Sequence, residues 1–151
     1  MDSTIKTLEE LLSEGITVFE SATDSELELP IAPGKWSRKQ IIGHLIDSAI
    51  NNLTRFTEIG SQHQPYVYRE YNQSDLVEIN RYQSAEKAFL LRLWLLLNQQ
   101  IIRVIETQTE ARLALEIIFP DQSISDLRYL ITDYSIHMQH HINQLKSDEK
   151  N

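Results

Sequence analysis

The chain of 151 residues is long enough for one domain that buries roughly 70% of its unfolded surface, and we read residues 1–151 as a single domain. Its 22 acidic against 14 basic residues give a formal charge of -8 with no basic cluster, which argues against a nucleic-acid partner because phosphate backbones would be repelled. The absence of cysteine removes disulfides, thiolate ligands and any internal thiol switch, so thiol chemistry would need a thiol from outside the chain.

The N-terminal Met-Asp-Ser-Thr-Ile-Lys lacks a basic region followed by an apolar run, and the apolar patch from Phe89 to Leu97 is interrupted by Arg92. A cytoplasmic protein without a membrane span is expected. Apolar residues then recur at helical spacing through Ile5, Leu8, Leu11, Leu12, Ile16 and Phe19, which predicts a first amphipathic helix over residues 4–22. Asp24 to Lys35 breaks the period with Pro30, Pro33 and Gly34 and reads as a connecting loop.

Ser37 and Gln40 have capping-box spacing, so a second helix should begin there, with Trp36 as a hydrophobic staple just before it. Its stripe of Ile41, Ile42, Leu45, Ala49, Leu53 and Phe56 runs to Gly60, which offers a left-handed helix end. Residues 61–83 have no helical period and carry Tyr66, Tyr68, Tyr71 and Tyr82. They predict a long loop, whose tyrosines either roof a site or pack on the bundle end. Ser84 is the expected cap of a third helix through Phe89, Leu93, Trp94, Leu97, Ile101 and Ile105, broad enough in its apolar face for the core or a dimer interface. Ser123 to Asp126 approximates a cap for the last helix, which should end near the charged tail from Lys146. No strand alternation is evident. The pattern is all-α, an antiparallel four-helix bundle with a long aromatic-rich loop between helices 2 and 3.

His137 and His141 stand four apart on the last helix, so their rings project from one face about one turn apart. With His44 from the second helix they could hold a divalent ion with positions open to water or substrate, although spacing alone favours the simpler reading of a core-facing, hydrogen-bonded His141 with His137 and His140 solvated. On the helical wheel His141 falls inside the apolar arc, His137 at its margin and His140 farthest away. Asp47 and Asp133 lie one turn from His44 and His137 and could orient the rings, or be ordinary surface residues. His63 reads as solvent-exposed in the loop, and Arg55 as a surface charge in preference to an anion anchor.

Two segments carry a family likeness: Trp36-Ser-Arg-Lys-Gln-Ile-Ile-Gly-His44-Leu-Ile-Asp-Ser-Ala-Ile-Asn-Asn-Leu-Thr-Arg55-Phe56 and Asp133-Tyr-Ser-Ile-His137-Met-Gln-His140-His141-Ile-Asn-Gln144. Together they resemble the DinB-like superfamily of four-helix metalloproteins. The resemblance implies a bundle, frequently a homodimer, holding a divalent metal, often nickel or zinc, through His44, His137 and His141. His140 is an extra histidine that leaves a pairing of 137 with 140 open.

Some relatives in that superfamily are similar to thiol-dependent S-transferases and isomerases using bacillithiol, mycothiol or glutathione, and many have no known activity. The expected function is therefore a divalent-metal enzyme acting on a small-molecule substrate. It would be either an S-transferase with a low-molecular-weight thiol as cosubstrate or a metal-dependent hydrolase. The alternative is a non-catalytic metal- or ligand-binding bundle associated with stress.

Overall fold

The structure, a computed structural model, describes residues 1–146, so most of the charged tail, 147–151, lies outside the described residues. Helix α1 spans Asp2–Ser21 and buries Leu8, Leu11, Leu12 and Phe19 along one stripe, as its period predicts. The segment read as an unbroken loop opens with a short helix, α2 (Asp24–Glu28). It forms because Thr23 and Glu26 make a capping box: the Glu26 carboxylate accepts from the Thr23 N–H at 2.7 Å, and Thr23 Oγ1 accepts from the Glu26 N–H at 3.3 Å.

Helix α3 (Arg38–Glu58) starts at the expected box, with Ser37 and Gln40 exchanging bonds of 3.0 and 3.1 Å. Its end differs from the expectation. Ile59 is right-handed and Gly60 does not take a positive φ. A Cβ there would instead collide with the Arg112 guanidinium, so this glycine permits a close approach.

Residues 61–83, expected to be irregular, contain strand β1 (Tyr66–Val67), helix α4 (Gln73–Ile79) capped by Asn72, and the start of a 3-10 turn, Tyr82–Ser84. That turn uses Ser84 internally, its Oγ donating to the Arg81 carbonyl, so helix α5 (Lys87–Glu106) begins after Glu86 and not at Ser84. A short α6 (Glu110–Leu113) leads into strands β2 (Glu116–Ile118) and β3 (Ile124–Asp126).

The three strands form a sheet in the order β1-β2-β3, which corrects the strand-free expectation. Tyr66 pairs in parallel with Ile117, and Ile117 pairs antiparallel with Ser125. Helix α7 (Leu127–Lys146) follows directly, capped by Asp126, whose carboxylate accepts from the Tyr129 N–H at 2.8 Å; Ser123 is occupied with Asp121.

Four long helices thus enclose the core. Helix α1 packs against α5 and α7, and α3 packs against the same two. Trp94, Phe19, Phe56, Leu45 and Ile46 are fully buried among them. By length and mean hydropathy (1.4), α5 has the composition of a membrane-crossing helix, yet Leu90, Trp94, Asn98, Ile101 and Ile105 line its buried face inside the bundle. What the fold achieves for function is to set α3 beside α7, the two elements that carry His44 and the His137/His141 pair.

Candidate metal centre

His44 is fully buried on α3, and its Nε2 lies 3.0 Å from His137 Nε2 on α7. His141 Nε2 is 3.1 Å from the same atom. Three imidazoles from two helices therefore aim one nitrogen each at a common point, and the three ligand atoms lie within 4.8 Å of one another. The i,i+4 spacing on α7 sets its two rings edge-to-face at a centroid separation of 4.6 Å, and burial on the inner side of α3 brings the His44 ring centroid to 4.6 Å from that of His141.

Hydrogen-bond bookkeeping tests whether a metal fits. His141 Nδ1 meets Gln144 Oε1 at 2.8 Å, and with the Gln144 amide turned to donate to His140, this nitrogen must carry the proton. His141 Nε2 is then a bare lone pair. His137 Nε2 faces two other imidazole nitrogens and can donate to only one of them. The opposite nitrogen of His44, Nδ1, is buried without a partner. Buried polar atoms are normally paired, and this cluster leaves at least one inward lone pair unmatched. A divalent cation at about 2.0–2.1 Å from each nitrogen would use all three, since two such ligands on one ion stand about 3 Å apart. The donor set therefore fits the ion.

Electrostatics favour the ligand form. Burial, then the neighbouring His141 and His137, depress His44 from 6.5 to about 3. Burial, then His137, lowers His141 to about 4, and burial lowers His137 too. All three rings are neutral at pH 7 with lone pairs available.

The other candidates separate cleanly. His140 is exposed, meets His141 edge-to-face with centroids 5.0 Å apart and does not join the cluster. His63 is exposed, with its Nδ1 3.3 Å from the neighbouring Gln64 carbonyl, and lies outside the cluster. Asp47 does not orient His44: one carboxylate oxygen accepts from Tyr82 Oη at 2.6 Å and Asn80 Nδ2 at 2.9 Å, and the other is buried without a partner. Desolvation raises its pKa. Asp133 is exposed and makes no bond to His137 among the described residues. Trp36, expected only as a staple, packs its ring 5.2 Å from His44.

A cavity of about 620 Å³ opens beside His137. Ser48, Asn52 and Arg55 of α3, Tyr134 of α7, and Tyr68 and Tyr71 from the former loop line it, with Glu70 and Asp133 exposed on its wall. Ser48 Oγ stands 3.5 Å from His137 Nδ1, and Ser48 and Tyr71 both line the cavity. The tyrosines divide between the two expected roles: Tyr68 and Tyr71 wall the cavity, whereas Tyr66 and Tyr82 are tied to Glu58 and Asp47.

Arg55 corrects the surface-charge reading, being only 4% exposed. Sequence reasoning places Ser48 one turn beyond His44 on the same face but gives it no role, and overlooks Asn52, although positions 44, 48, 52 and 55 share one helical face.

Known proteins are similar to this chain in sequence and in fold. A Bacillus subtilis (strain 168) protein named "Putative metal-dependent hydrolase YfiT" is 28% identical over 142 residues, 93% of this chain and 79% of that one. A Bacillus pumilus (strain SAFR-032) protein named "Putative metal-dependent hydrolase" is 29% identical over 79 residues, covering 52% of this chain and 45% of its own length.

The solved structure of Bacillus subtilis YfiT, described as a probable metal-dependent hydrolase with an unusual four-helix bundle topology, superposes with a TM-score of 0.85 at 27% identity. That match covers 95% of this chain and 82% of the other. The crystal structure of a mycothiol-dependent maleylpyruvate isomerase shares the fold at a TM-score of 0.74 and 15% identity, covering 97% of this chain and 60% of that one. The sequence profile of the DinB superfamily matches residues 7–145, from the second turn of α1 to the last turn of α7, and the chain belongs to that superfamily.

Proposed function

We propose that the protein is a divalent-metal-dependent hydrolase of a small molecule, its ion held by His44, His137 and His141, with nickel or zinc as the expected metal. The observation that carries this reading is the convergence of three neutral imidazole nitrogens, 3.0 and 3.1 Å apart along the cluster, beside a 620 Å³ cavity that one of them, His137, lines. Relatives named as metal-dependent hydrolases support it. A divalent ion in that position supplies Lewis-acid activation of water.

The chain's own groups prepare the site. Gln144 fixes the tautomer of His141, Trp36 shields one side of His44, and burial keeps all three rings unprotonated. Tyr71, its pKa raised by burial, holds a protonated hydroxyl at the cavity wall next to Ser48, where it can donate to a leaving group.

A second reading, a thiol-dependent S-transferase, is favoured by the size of the cavity, which has room for a small thiol beside a substrate, and by the fold shared with a mycothiol-dependent isomerase. With no cysteine in the chain, the thiol would enter as cosubstrate. We further propose a homodimer formed through the outward face of α5, where Phe89 and Leu96 are 56% and 58% exposed.

The test begins with mass-spectrometric metal analysis of protein purified without a histidine tag. Stoichiometric nickel or zinc is expected in the wild type and its loss in His137→Ala; a wild-type protein that retains no divalent metal refutes the site. Turnover of an ester and amide panel by metal-loaded but not metal-stripped protein supports hydrolysis. Turnover only with an added thiol and a chlorinated electrophile moves the assignment to the transferase. Inactivity in both leaves a metal-binding protein without catalysis.

A further inference from the structure

We infer that the cavity is shaped for a small organic carboxylate, received by Arg55; this names the substrate class of the proposed enzyme and rests on that reading. Arg55 is 4% exposed, and no ion pair is found for it among the described residues. A guanidinium cannot shed its charge, and buried charges are normally paired. Two hydrogen bonds engage two of its five donors: Nη1 to Asn52 Oδ1 at 3.3 Å and Nη2 to the Arg69 carbonyl at 2.5 Å. The remaining donors belong to a side chain that forms part of the cavity wall.

Orientation narrows the ligand. The Tyr68 ring covers the guanidinium face, with its centroid 4.0 Å from Cζ. What the group can offer a ligand is its in-plane N–H edge, which matches the two oxygens of a carboxylate. Charge narrows it further. Glu70 and Asp133 are exposed on the same cavity wall, and the whole chain carries a formal charge of -8. The one guanidinium can neutralise one negative charge, and the neighbouring carboxylates disfavour a second, so a monoanion is preferred over a dianion such as phosphate.

Position supplies the length. Ser48, beside His137, and Arg55 are seven residues apart on α3, about 10 Å along the axis at 1.5 Å per residue. The arginine reaches back toward the N-terminal end. The cavity thus suits a molecule spanning less than that axial length, with a carboxylate at one end and its reacting bond near His137.

The experiment uses the full chain, zinc-loaded and metal-stripped, titrated with 3-phenylpropionate, its uncharged amide and inorganic phosphate. Binding is read by calorimetry, and the Arg55 Nε–H signal is followed by NMR, assigned by its disappearance in Arg55→Lys. The carboxylate is expected to bind both forms, at least about tenfold more tightly than the amide or phosphate, and to shift the Arg55 signal. Arg55→Met should lower its affinity to that of the amide, since a hydrogen bond to a charged group is worth about tenfold or more.

Unchanged affinity in Arg55→Met, an unmoved Arg55 signal, preference for phosphate, or no carboxylate binding overturns the proposal. So does binding that requires zinc, which would place the carboxylate on the metal and leave the metal reading intact. Carboxylate binding to a protein that never retains zinc would do the reverse. Should Arg55→Met fail to fold, the wild-type Arg55 signal still decides.

Discussion

At the scale of single residues, the site is defined by what burial does to imidazole. His44 is held at about 3 and His141 at about 4, each chiefly by desolvation, and His137 moves the same way. In the unfolded chain each returns to about 6.5, so between roughly pH 6.5 and 4 the unfolded state binds more protons than the folded one. Stability of the metal-stripped protein should therefore be insensitive to these groups above pH 6.5 and fall as the pH drops below it. The loss is up to about 1.4 kcal/mol per pH unit for each histidine. Urea midpoints of metal-stripped wild type and His44→Gln at pH 7, 6 and 5 test this: the wild type should lose more stability, and parallel slopes would contradict it. The same property makes the rings good ligands at neutral pH, because no proton has to be displaced from them.

At the scale of elements, α3 is the organising piece, and Gly43 shows how tightly it is packed. A Cβ at that position would overlap the Tyr82 ring, and Tyr82 in turn donates to Asp47 at 2.6 Å. In an isolated helix Gly43→Ala would gain about 1 kcal/mol of propensity. Here the clash should dominate, for a net loss of about 1–3 kcal/mol, read as a fall of several degrees in the thermal midpoint by circular dichroism; a rise would show that Tyr82 can move at no cost. The long helices were legible because each repeats its apolar residues over several turns, and α3 adds a local capping box at Ser37 and Gln40. The sheet was not, because strands of two or three residues show no alternation and exist only through pairing across distant segments, Tyr66 with Ile117 and Ile117 with Ser125. The three histidines could be named from two motifs and a wheel. The cavity could not: Ser48, Asn52 and Arg55 form a polar line on α3 that the usual preference of such residues for solvent assigns outward, and it is inward only because α7 and residues 68–71 close over it.

At the scale of the whole molecule, the functional apparatus and the proposed association surface use different helices. The histidines and cavity belong to α3, α7 and the segment after α3, while α5 turns Leu90, Trp94 and Ile101 to the core and leaves Phe89 and Leu96 outside. Two large exposed apolar side chains, seven residues apart, fall on one face of a helix, and partly buried Leu93 between them extends the stripe. A patch of this kind on a chain otherwise rich in acidic residues is more stable when covered, and an equivalent α5 from a second copy is its natural complement because a twofold pairing matches each surface with itself. Native mass spectrometry and light scattering should then report twice the chain mass for the wild type. Leu96→Arg, which sets two guanidinium groups against each other across that axis, should shift the protein to a single chain mass while its helical circular dichroism and metal content stay unchanged. A wild type that remains a single chain at high micromolar concentration would refute the dimer without touching the metal centre, since none of the cavity-lining residues lies on α5.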